Sequence, residues 1–141
     1  MITISLPMPD SRLSLNGREH WRTVRAGQTS QHELAGLAAV AVIQERGQPF
    51  PVYPSEKVSL YIDVERRPRG QRWDTAGLVE AIKGYQDGME MLIYYNDSQI
   101  RTYAVRWDAK PTGNGLIHLY IRALSEPQGW PAVEWATEEW R

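Results

Sequence analysis

Eight residues with strict alternation, Val58 to Glu65, constrain this chain more than any other stretch. Val58, Leu60, Ile62 and Val64 point one way, and Ser59, Tyr61, Asp63 and Glu65 the other, which is the period of a strand. Beyond it the period lengthens. Leu78, Ala81, Ile82, Tyr85 and Met89 recur at three- and four-residue spacing, predicting one helix over 75–89 with a buried stripe. Gly77, Gly84 and Gly88 weaken that helix, and Gly88 is placed to be its C-cap.

The flanks supply the other elements. Ile2 to Leu6 alternate as a short first strand closed by Pro7 and Pro9. Pro9 to Asn16 is a turn-rich connector without periodicity, read as an ordered loop leading to His20, Trp21 and Arg22. A second amphipathic helix is predicted over 29–44, capped by Thr29 or Ser30, with Leu34, Leu37, Ala38, Ala41 and Val42 as its apolar stripe. Ile100–Trp107 and Leu116–Leu124 are strand-like, and Lys110 to Gly115 between them is a strong turn signal, so the two read as a C-terminal hairpin. The fold class expected is α+β: a small single domain with a mixed β-sheet, two main helices and that hairpin. Residues 1–125 form the domain, and 126–141 an acidic, Trp-rich tail belonging to the same unit.

Bulk properties narrow the chemistry. The chain has 141 residues, enough for one core, and no cysteine, which removes disulfides, zinc–thiolate sites and cysteine nucleophiles. His20, His32 and His118 are scattered without ligand spacing. No apolar run approaches the roughly 20 residues of a membrane helix, and the N-terminus lacks the basic region of a signal peptide, so a cytoplasmic protein is expected. Formal net charge is −1, so any affinity for nucleic acid must come from a local patch.

One such patch exists. Arg66, Arg67, Arg69 and Arg72 crowd the end of the alternating strand, and Asp74 follows. Glu80, Lys83 and Asp87 then share one face of the predicted helix, and Asp97 lies in the polar break Asn96 to Gln99. Each feature has an ordinary structural reading. Asp74 fits an N-cap, Asp97 a turn, and the helix charges a solvated face with a Lys83–Asp87 pair. Trp73 either packs the helix start or stacks on an unpaired base. Together the features are what a metal-dependent enzyme acting on a phosphate backbone needs.

The window from Arg72 through Gly88-Met89 to Asn96-Asp97-Ser98-Gln99-Ile100 resembles the RusA-type Holliday junction resolvases, a family of endodeoxyribonucleases common in phages and prophages. Asp74 matches the family's first aspartate, Leu78 its leucine, Lys83 its lysine, Asp87-Gly88-Met89 its helix end, and Asn96 to Ile100 its final acidic turn. Leu13-Ser14-Leu15-Asn16 with His20-Trp21-Arg22 is similar to the opening segment, and the similarity spans residues 2–123.

The resemblance implies an Mg²⁺-dependent (or Mn²⁺-dependent) homodimer that nicks branched DNA and needs no organic cofactor and no membrane. On it, Asp74 and Asp97 hold the metal with Asp87 or Glu80 as a third carboxylate, and Lys83 assists at the scissile phosphate. Arg66, Arg67, Arg69 and Arg72, with Asn16, Trp21 and Arg22, would contact DNA. The glutamates around the tail tryptophans would repel phosphates, so those rings are expected to bury at a dimer interface instead. Two departures stand out: Ala76 and Gly77 replace the family's second aspartate and its asparagine, and Asn96 replaces one of the final acidic pair. The alternative is therefore a junction-binding protein of the same fold that has lost cleavage through Ala76. A third reading is a protein-interaction module that uses the Trp-rich tail.

Overall fold

The alternating segment becomes the second of four strands in one mixed sheet, and both of its faces are buried. In this computed structural model residues 1–9, 13, 21–66, 74–107 and 114–131 are described. Asn16, Arg67, Arg69, Arg72, Trp73, most of the turn before Asn114 and the tail beyond Pro131 lie outside them. The elements in chain order are β1 (Ile2–Pro7), α1 (Trp21–Glu45), β2 (Val58–Glu65), α2 (Thr75–Ala81), α3 (Lys83–Met89), a 3₁₀ turn at Asp97–Gln99, β3 (Ile100–Trp107) and β4 (Leu116–Ala123). The class is α+β with a mixed sheet, as expected. Two compact units are present, one drawn from Met1–Met8, Glu56–Arg72 and Gln99–Arg141, the other from Pro9–Ser55 and Trp73–Ser98.

In the first unit the strand order is β1-β4-β2-β3. β4 is antiparallel to both β1 and β2, whereas β2 and β3 run parallel. The expected hairpin is therefore absent: β2 lies between β3 and β4. A parallel neighbour needs a crossover connection, and α2 and α3 provide it between β2 and β3. Ile2, Ile4, Leu6, Leu60, Ile62, Val64, Ile117, Leu119 and Ile121 form one apolar face, each at most 3% exposed.

The opposite face is polar yet covered. Register aligns Ser5, His118, Asp63 and Arg106 in one row across all four strands. Arg106 donates to both carboxylate oxygens of Asp63, at 3.0 and 2.5 Å, in the bidentate geometry that matches two donors to two acceptors. Glu65 accepts from the backbone and side chain of Asn114 and meets His118 Nε2 at 3.0 Å. Gln128 folds back over this face, accepting from Ser59 and Tyr61. Trp130 sets its ring edge-on to Tyr61 at 5.2 Å, with the Arg106 guanidinium 4.3 Å from its centroid. At least this tryptophan beyond residue 125 is packed on its own sheet.

The second unit is helical, and two expectations change there. α1 begins at Trp21, eight residues before the predicted cap, and runs on through Gly27; the Thr29 hydroxyl donates to the Arg25 carbonyl four residues back instead of capping. Its buried stripe is Gln31, Ala35, Ala39 and Ile43, while Leu34 and Leu37 are 44% and 73% exposed. The reason lies across the contact, where α3 presents glycines. A Cβ on Gly84 would sit 2.5 Å from the Gln28 carbonyl oxygen, and one on Gly88 would collide with the His32 backbone. Backbones this close leave room for alanine on α1 and none for leucine. Gly88 is thus a packing residue within α3, and Glu90 is the C-cap.

The predicted single helix over 75–89 is kinked at Ile82, whose φ −98° and ψ 13° are off helical values. Two side chains collect carbonyls loosened at the kink: Gln31 donates to Ala81 and Gln86 to Val79. The predicted stripe of Leu78, Ala81, Ile82, Tyr85 and Met89 is wholly buried.

Candidate metal centre

α3 carries Lys83 and Asp87 one turn apart, and the chain leaves the helix at Glu90. Met91 then takes a positive φ of 68°, a conformation that costs a residue with a Cβ about 1 kcal/mol or more. It reverses the chain sharply, and the Met91 amide donates to the Tyr94 carbonyl at 2.6 Å. Tyr94 anchors the reversal: its side chain is fully buried, and its hydroxyl donates to the Gln86 carbonyl at 2.7 Å. Backbone bonds from Val52 and Tyr53 to Leu92 and Ile93 hold the outer side of the same loop. The chain thereby returns Asn96 and Asp97 toward the end of α3. Asn96 closes an Asx turn on the Ser98 amide, and the Asp97 amide donates to Glu90 Oε1 at 3.3 Å.

The result is a cluster of three half-buried carboxylates, Asp87, Glu90 and Asp97, one oxygen of each lying within 4.8 Å of the others. Oxygens sharing one Mg²⁺ at ~2.1 Å are up to about 4.2 Å apart, and those around Ca²⁺ up to about 5 Å, so the 4.8 Å bound lies inside the Ca²⁺ range and beyond that of Mg²⁺, which would require the carboxylates to draw closer. The donor set fits too, because three carboxylate oxygens suit Mg²⁺, Mn²⁺ or Ca²⁺. Electrostatics give the same indication. Burial raises the Glu90 pKa above its ordinary 4.5, the charges of Asp87 and Asp97 raise it further, and the Asp97 amide and Lys83 only partly offset this.

Of the expected ligands, Asp87 and Asp97 come together here, and Lys83 is near enough to influence Glu90. Asp74 is not in the cluster. It is the N-cap of α2, accepting from the Gly77 amide at 2.5 Å. Glu80 lies exposed on α2, also outside the cluster. Glu90 is the member that sequence reading missed. Its signal is the Asp87-x-x-Glu90 spacing at a helix end followed by a polar turn, and it is weak because nothing in the sequence marks the reversal at Met91.

Trp21 and Arg22 open α1, with the Arg22 guanidinium stacked 5.3 Å from the centroid of the exposed Trp21 ring. Arg66 is half-buried just past β2. No helix among the described residues is long and apolar enough to cross a membrane. Compared with known proteins, the chain matches no family model and no curated protein.

Proposed function

We propose that this protein is a divalent-metal-dependent endodeoxyribonuclease that cuts four-way or other branched DNA junctions, acting as a homodimer in the cytoplasm. The observation that carries the reading is the Asp87–Glu90–Asp97 cluster beside Lys83. Two of these three carboxylates stand in the stretch whose sequence resembles the RusA-type resolvases. Mg²⁺, or Mn²⁺ in its place, would supply Lewis-acid activation of water and of the phosphate.

The chain's own groups do the rest. Asp87, Glu90 and Asp97 form the anionic seat, held by the Met91 reversal and the buried Tyr94. Lys83 offers a positive charge one turn from Asp87, where negative charge on phosphorus would build. Arg66, Arg67, Arg69 and Arg72, with Asn16, Trp21 and Arg22, would be the residues that contact DNA.

A second reading is favoured by one observation. Asp74 spends its carboxylate on the α2 cap and Ala76 has none, so the first pair of family positions brings nothing to the cluster. On that reading the protein binds junctions without cutting them.

A labelled four-way junction, with and without Mg²⁺, separates the readings. The nuclease nicks it in Mg²⁺, Asp97→Asn abolishes nicking while retaining the gel shift, and Asp74→Asn keeps the cap and at least part of the activity. A shift with no nicking in Mg²⁺ or Mn²⁺ establishes the second reading. No affinity for any branched DNA at low salt overturns both.

A further inference from the structure

The surface of the helical unit holds a cleft of about 300 Å³. From α1 come Arg25, Gln28, Thr29, His32 and Glu33, and from α3 come Gly84 and Asp87. Arg25, Thr29 and His32 follow at four- and three-residue intervals, so one face of α1 presents them in a line. Gly84 opens the cleft between the helices, since any side chain there would meet α1. Asp87 belongs both to this cleft and to the carboxylate cluster, so the two are contiguous.

Arg25 has no salt-bridge partner among the described residues, and neither has His32. From Trp21 to His32 the helix carries Arg22 and Arg25 and no acidic residue. The cleft therefore brings a guanidinium, a glutamine amide and an imidazole together along one wall. Asp87 and Glu33 make it a poor seat for a free anion. They suit an anion presented together with a cation, and Asp87 is already a corner of the place where a cation would sit.

We infer that this cleft holds a nucleotide phosphate next to the one being cut, with Arg25 and His32 as positioning residues. The inference rests on the nuclease reading and specifies how substrate lies in that site. Arg25 offers the planar fork that matches two phosphate oxygens, and His32, two turns along the same face, lines the cleft further along. The volume stands at the small end of ligand pockets, enough for one nucleotide unit.

The test uses the full chain and deoxythymidine 5′-monophosphate, with deoxythymidine as the unphosphorylated control, followed by NMR in Mg²⁺ and in EDTA. The expected result is saturable movement of the His32 ring and Thr29 signals with the monophosphate in Mg²⁺. The nucleoside should give none, and EDTA should weaken the effect. Arg25→Gln should weaken binding about tenfold, as loss of one charge-assisted contact does, with Arg25→Lys in between and thermal unfolding of both unchanged. Unmoved His32 signals in wild type, or equal binding by Arg25→Gln, overturn the assignment. The outcomes stay separate from those of the junction assay: monophosphate binding without nicking removes the nuclease reading and leaves only a nucleotide-phosphate site with no cut beside it, whereas nicking without His32 movement keeps the nuclease and removes the cleft assignment.

Discussion

Glu90 sits between two other carboxylates with only Lys83 and one amide to balance them, and that arrangement sets a pH dependence. Its pKa in the folded chain is raised above 4.5, so folding favours the protonated form. The associated stability is present below the unfolded value and is lost as pH rises through the folded value. Without divalent ions, wild type should lose melting temperature relative to Glu90→Gln as pH rises from the glutamate range toward neutrality. Calorimetry at several pH values in EDTA checks this, and a constant difference between the two proteins would contradict it. Adding Mg²⁺ should raise the wild-type melting temperature and leave Glu90→Gln nearly unmoved. Asp74 behaves differently because its work is local. Replacing it with alanine removes the bond to the Gly77 amide and should cost about 1 kcal/mol, whereas asparagine keeps an acceptor and should cost little. Urea unfolding of the two variants measures the difference. Asp87 and Asp97 could be picked from the sequence because they fall where acidic residues are expected. Glu90 could not, because its membership depends on a left-handed residue at Met91, a position where propensity predicts nothing of the kind.

At the scale of elements, the contact between α1 and α3 has the least slack. Gly88→Ala should destabilise by roughly 1–3 kcal/mol, the range for overpacking, because the new methyl meets the His32 backbone and cannot be absorbed by a rotamer. Equilibrium denaturation measures it, and Gly47→Ala makes a useful contrast, since its penalty would come from a positive φ in open space. The same contact explains what was legible. Strand extents were readable from alternation, and the α2–α3 stripe from its period, because both are local properties. The buried face of α1 was not, since leucines normally mark the core side of a helix and here the partner's glycines select alanine. Nor was the pairing of β3, because a strong turn signal after it suggested the neighbour that β2 in fact becomes.

For the whole molecule, the sheet order has a consequence in time. Among the described residues none of its paired strands is joined by a short turn: Ile2 meets Ile121, Val58 meets Ile100, and Val58 also meets Ala123. No hairpin of these four strands can form early and recruit the others, so long loops must close before any ladder bond rewards the lost entropy. High contact order of this kind places refolding at about milliseconds to seconds, not microseconds. Stopped-flow tryptophan fluorescence would follow it, with Trp130 reporting the last segment settling over Tyr61 and Arg106. During synthesis β2 emerges long before either of its neighbours, β3 and β4, so its two hydrogen-bonding edges wait unpaired on the ribosome. An alternating segment such as Val58–Glu65 is a template for other strands in that interval. Its charged end, from Asp63 through Arg66 and the arginines that follow, is where repulsion between copies would hold that template apart.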